Sequence, residues 1–165
     1  MFKKFFITLV LSLIFSSQAY SAGSSDGGSS NDKIKNEYNK AVALIKSAKK
    51  FEKKGKLEKA KKNFEKAQKL LIKYNLKKPN DADTLNYLGF SSRKIGDFKN
   101  GEKYYLQGLA IDPTHVGINE YLGELYVATN RMDLAQKRLA VLMNCNCKEF
   151  SDLKDVIDGV KDSKY

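Results

Sequence analysis

Tryptophan is absent, histidine occurs once, cysteine and proline twice each, and methionine three times in 165 residues. One histidine, His115, and two cysteines, Cys145 and Cys147, are too few for a zinc ribbon or a disulfide scaffold. No phosphate-binding loop, nucleophile elbow or paired-histidine metal motif occurs anywhere in the chain. The longest apolar run, Phe5 to Phe15, is broken only by Thr8 and Ser12. It falls well short of the roughly 20 residues that span a bilayer. With 42% hydrophobic and 30% charged residues, the chain is neither a polytopic membrane protein nor wholly disordered. Its length allows one domain, or one domain with an appendage.

Charge is abundant and unevenly placed. Lys33 to Lys78 holds 17 basic and 4 acidic residues, a net of +13, whereas Pro79 to Tyr165 holds 11 and 13, a net of −2. In the basic half, lysines alternate with Ala, Leu, Phe and Ile at helical spacing. Two readings follow: amphipathic helices with solvated lysine faces, or a surface for anionic lipid, a cell-wall polymer or an acidic protein.

The N-terminus has the three parts of a secretory signal. Lys3 and Lys4 precede the apolar run, and small residues follow at Ser17, Ala19 and Ser21. Residues 1–22 are therefore expected to be a cleaved signal peptide, cut after Ala19 or Ser21, and the protein to be periplasmic or secreted. Export argues against a nucleic-acid partner despite the charge. Residues 23–32 read as a flexible linker containing GSSDGGSS, with Asn31 and Asp32 as N-cap candidates for the first helix.

The remainder repeats itself. Leu88-Gly89, Gly101 and Tyr105 recur 34 residues later as Leu122-Gly123, Ala135 and Leu139. Upstream, Ala48, Ala60 and Phe64 precede Gly89, Gly101 and Tyr105 by 41. The extra seven residues equal two helical turns, which implies a longer second helix ended before Pro79. Gly55, Gly96 and Asn130 stand where the chain must turn within each repeat. Small residues at 34-residue spacing let paired helices approach to 8–10 Å, and large ones wedge between them.

These positions resemble the tetratricopeptide repeat pattern from about Ile34 to Cys147, with Pro79 and Pro113 as the inter-repeat prolines. The implied fold is an all-α solenoid of three helix pairs, about 33–78, 82–115 and 116–148. A capping helix over 149–161 is expected from the stripe Phe150, Leu153, Val156, Ile157 and Val160, with Asp152, Lys154, Asp155 and Lys161 opposite.

The resemblance implies a non-catalytic scaffold, without a cofactor, that binds a peptide or partner helix in a groove lined by the first helix of each pair. The groove positions are Ile45, Lys49, Glu52 and Lys53; Asp83, Asn86, Phe90, Arg93 and Lys94; and Glu120, Glu124, Val127 and Ala128. Tyr87 and Tyr121 add aromatic surface. At the places where the family clamps a C-terminal carboxylate, this chain has Ile45, Lys49, Tyr87, Gly117 and Tyr121, so a single lysine is retained. A peptide with both apolar and charged residues suits this set better. Read by themselves, Glu120 and Glu124 look like a solvated i, i+4 pair, and His115 like a loop or cap residue. Cys145-Asn146-Cys147 admits three readings: a turn, bonded or reduced; a redox pair one residue shorter than C-x-x-C; or part of a metal site. The last two define an alternative function, a thiol-redox or metal-handling accessory protein.

Overall fold

The computed structural model describes residues 30–162. The expected signal segment, 1–22, and linker residues 23–29 lie outside them. Seven helices and no strand occur among the described residues: α1 Ser30–Lys53, α2 Leu57–Lys77, α3 Ala82–Lys94, α4 Phe98–Ile111, α5 Val116–Ala128, α6 Met132–Leu142 and α7 Lys148–Ile157. Helix α1 starts at Ser30, inside the segment expected to be linker, so Asn31 and Asp32 are helical rather than capping. Asp32 sits in the first turn, where a carboxylate is favoured by the helix dipole.

Successive helices pair antiparallel because each intra-repeat turn closes the same way. Gly55, Gly96 and Asn130 adopt φ of 66°, 92° and 58°. The next residue's N–H reaches back five positions in each turn: Lys56 to the Phe51 carbonyl at 2.9 Å, Asp97 to Ser92 at 2.9 Å and Arg131 to Tyr126 at 2.8 Å. This is the six-to-one bond of a Schellman ending. The starts of α3, α4 and α5 are capped by side chains. Asp81 accepts from the Asp83 N–H, Asp97 from the Asn100 N–H, and His115 Nδ1 from the Ile118 N–H. Asn119, fully buried, donates to the carbonyls of Pro113 and His115, fixing the turn between the second and third pairs onto α5.

The crossings follow the small-residue positions. A Cβ on Gly89 would lie 2.5 Å from the Tyr105 ring, and one on Gly101 would lie 3.2 Å from the Gly89 carbonyl oxygen. Helices α3 and α4 thus touch backbone to backbone, with Tyr105 wedged alongside. Ala48, Ala60, Phe64, Ala67, Leu71 and Leu88 form the core of the first half. Tyr105, Ile118, Leu122, Leu125 and Ala135 form that of the second. Fully burying one such large apolar side chain stabilises by about 1.5–3 kcal/mol.

The third pair departs from this pattern. Leu139 is only half-buried. The space over Gly123 is filled by Leu153 of α7, whose Cδ2 lies 2.5 Å from where a Gly123 Cβ would be. Helix α7 thus packs chiefly on α5. Its stripe is shorter than expected: Leu153 and Val156 are buried, but Val160 is 73% exposed. Gly159, at φ 72°, ends the helix with the Val160 N–H bonded to the Asp155 carbonyl. Asp152, expected on the wet side, is instead buried and accepts from Lys148 and Lys161.

Candidate functional site

The first helices α1, α3 and α5 present one continuous face, and a ladder of cations and rings crosses it. Lys49 on α1 places its ammonium 4.4 Å above the Phe90 ring of α3 and 5.7 Å from the Tyr121 ring of α5. Phe90 and Tyr121 pack at 5.0 Å with a 43° tilt. The Arg93 guanidinium lies 5.5 Å from Phe90 and 5.2 Å from Tyr121. Such contacts are strengthened where water is excluded. One turn beyond Phe90 on α3, Lys94 bridges back to Glu52 of α1 at 2.6 Å.

Beneath this ladder Arg93 is anchored. Its Nη1 donates to the Tyr121 carbonyl at 2.9 Å and its Nη2 to Glu124 at 3.0 Å, with both side chains of the ion pair fully buried. A buried charge is tolerated only when paired and hydrogen-bonded. The carboxylates expected to be solvated are therefore corrected: Glu124 is 0% and Glu120 4% exposed. Burial, with Glu120 next in effect, pushes the Tyr121 phenol well above its ordinary value. Burial alone does most of the same for Tyr105.

The predicted groove residues thus divide into floor and rim. Arg93, Glu120, Glu124 and Phe90 are floor, and Ile45 lies in the core rather than on the face. Lys49 and Lys53 are exposed, and Glu52, Asn86, Tyr87, Lys94, Tyr121 and Val127 are half-buried, while Asp83 and Ala128 are exposed. Tyr87 joins a second aromatic group, with Tyr38 at 6.1 Å and Tyr38 against Tyr74 at 5.0 Å. Tyr38 and Tyr74 escaped the sequence reading because the lengthened first pair has no repeat register to mark them. Gly117 lies against Asn86, whose Nδ2 is 2.9 Å from a Cβ there. Ile45 and Gly117 offer a terminal carboxylate no donor side chain. A cleft of about 280 Å³ opens beside the face, lined among others by Glu52, Leu57, Phe64, Lys94 and Phe98.

His115 does cap α5, and its Nε2 lies 3.1 Å from Asp83. Because Nδ1 accepts from Ile118, the ring proton sits on Nε2 and is donated to Asp83. Cys145 and Cys147 are joined in a disulfide with Cα atoms 5.1 Å apart, and Asn146 between them has φ 49°. Neither sulfur is then a thiolate ligand. Among the described residues no three His, Cys, Asp or Glu side chains cluster as a metal site.

Comparison with known proteins agrees with this geometry. A tetratricopeptide repeat family model matches residues 82–115, which are α3, α4 and the turn that follows. A tetratricopeptide repeat is thus recognised at α3 and α4. The fold is that of the first tetratricopeptide domain of Spaghetti (RPAP3), solved with an HSP90 peptide, SRMEEVD. That likeness has a TM-score of 0.53 and 18% identity, over 74% of this chain and 94% of that one. The tetratricopeptide domain of Arabidopsis OM64 aligns with a TM-score of 0.48 and 13% identity, over 76% of this chain and 99% of that one. No curated protein matches in sequence.

Proposed function

We propose that this protein is a non-catalytic adaptor that holds a peptide segment or partner helix against the face of α1, α3 and α5. The observation that carries this reading is the ladder from Lys49 through Phe90 and Tyr121. Its floor is fixed by the buried Arg93–Glu124 pair, and its rim keeps Lys49 and Lys53 exposed. A pre-set floor lowers the ordering cost of binding, and mixed aromatic and cationic rims suit a ligand with apolar and acidic side chains. The Spaghetti domain holds a peptide with two glutamates and an aspartate. Here the ligand would be held by side chains along its length rather than by a terminal carboxylate.

The protein is exported, on this reading, through residues 1–22 and acts in the periplasm or outside the cell. Lys3, Lys4, the run Phe5 to Phe15 and the small residues after it support that address. The Cys145–Cys147 disulfide fits an oxidising compartment.

Selection of peptides from a random display library on the immobilised protein tests the adaptor reading. Selected peptides should be acidic with apolar anchors, and should bind about tenfold or more weakly to Lys49→Ala and Tyr121→Ala. Peptides that bind both variants as tightly as the parent contradict it.

A further inference from the structure

A second surface stands apart from the groove, on the outer side of α2. Its buried residues are Ala60, Phe64, Ala67 and Leu71. On the opposite side, at steps of four, three and four, lie Lys62, Lys66, Lys69 and Lys73, all exposed, and three residues on comes Leu76 at 79% exposure. At 1.5 Å per residue the four lysines form a straight row of about 17 Å. None of them forms an ion pair with a described carboxylate, and Glu65, the one acidic residue between Lys62 and Lys73, is half-buried to one side. Like charges three and four apart on a helix repel one another, so the row works against the helix that carries it.

The length of α2 points the same way. It has 21 residues, against 14 in α4 and 11 in α6. Beyond Leu71 it buries no further residue. Tyr74 packs on Tyr38 and Lys77 pairs with Glu37, which hold the extension to α1. What the extension adds to the surface is Ile72, Lys73 and Leu76, two of them exposed apolar residues at the end of the cationic row.

We propose that the outer face of α2 is a docking surface for an anionic phospholipid bilayer. The row Lys62, Lys66, Lys69 and Lys73 lies along the headgroups, and Leu76, with Ile72 beside it, enters the headgroup boundary. A straight, convex row meets a plane along its whole length, which a groove cannot do. Lysines near an anionic leaflet attract it additively, and an apolar residue in line with them is the mark of an interfacial helix rather than of a polymer-binding one. No described helix is long and apolar enough to cross a membrane. The groove on α1, α3 and α5 remains open to its own ligand.

The test is co-sedimentation of the full chain with vesicles of equimolar phosphatidylglycerol and phosphatidylcholine, set against vesicles of phosphatidylcholine alone. The readout is the ratio of the two partition coefficients, which cancels any contribution of the N-terminal apolar run. The ratio should fall on the order of 1,000-fold in the variant with Lys62, Lys66, Lys69 and Lys73 all changed to Gln. It should also fall as salt rises from about 0.01 M to about 0.1 M. Gln keeps the helix propensity, and circular dichroism verifies the fold. Leu76→Ser should weaken vesicle binding roughly tenfold and leave binding to polyglutamate unchanged. An equal loss when Lys40, Lys46 and Lys50 of α1 and Lys54 of the turn after it are changed to Gln reduces the effect to net charge and overturns the proposal. So does a ratio indifferent to the α2 row, or indifference of vesicle binding to Leu76→Ser.

Discussion

The Arg93 guanidinium of α3 meets the Glu124 carboxylate of α5 at 3.0 Å, with neither side chain exposed. The two residues are 31 apart in sequence, and they tie the second repeat to the third beneath the candidate groove. Removing one partner leaves an uncompensated buried charge, which costs about 3–5 kcal/mol. Glu124→Ala and Arg93→Ala should each lower the free energy of unfolding by about that amount. The double variant should lose clearly less than the sum, in a denaturant-melt double-mutant cycle. Additive losses would mean that the two groups do not act as a pair.

The two crossing glycines should respond differently to a single methyl. At Gly89 the added carbon meets the Tyr105 ring at 2.5 Å, and that ring is wedged and 0% exposed. At Gly123 it meets the end of the Leu153 side chain, which can change rotamer. Gly89→Ala should therefore destabilise by about 1–3 kcal/mol and Gly123→Ala by less. Equal denaturant midpoints for the two variants would contradict this packing.

Helix α7 acts as a lid on α5 through Leu153, which is fully buried. Leu153→Ala should cost about 2–5 kcal/mol. Truncation after Lys148 should bare the Gly123 face and give a less stable, aggregating protein by light scattering. A truncated chain that stays monomeric with an unshifted melting temperature would make α7 an appendage.

Three buried or half-buried tyrosines give a pH signature. Tyr38, Tyr105 and Tyr121 are all raised above their ordinary value, with burial as the first cause. The folded state then holds these protons more tightly than the unfolded state, where the phenol pKa is about 10. The stability they contribute is complete below about pH 10 and is lost as pH rises above it towards their folded values. The melting temperature should fall steeply above about pH 10, with phenolate absorbance from these residues appearing together with unfolding. Phenolate absorbance from all of the chain's tyrosines near pH 10 in a still-folded protein would refute their burial.

What could be read from the sequence was what recurs. Ala48, Gly89, Ala60 and Gly101 mark crossings because close helix approach demands small residues at fixed intervals, and Phe64 and Tyr105 mark wedges for the same reason. What does not recur stayed hidden. Glu124 looked solvated because its partner lies on another helix 31 residues away, at no characteristic spacing. The space over Gly123 was assigned by register to its own pair, but Leu153 of the non-repeating α7 fills it. Lys49, Phe90 and Tyr121, expected on one face from three different helices, do come together. Which residues of that face form floor and which form rim depends on packing depth, and no periodicity encodes that.

The central claim is that ligand meets the face of α1, α3 and α5, and amide chemical-shift mapping with a selected peptide tests it most directly. Saturating peptide should perturb amides around Lys49, Asn86, Phe90 and Tyr121, while those along Lys62 to Lys73 of α2 stay in place. Perturbations confined to α2, α4 and α6, with the Lys49, Phe90 and Tyr121 signals unmoved, would contradict the account.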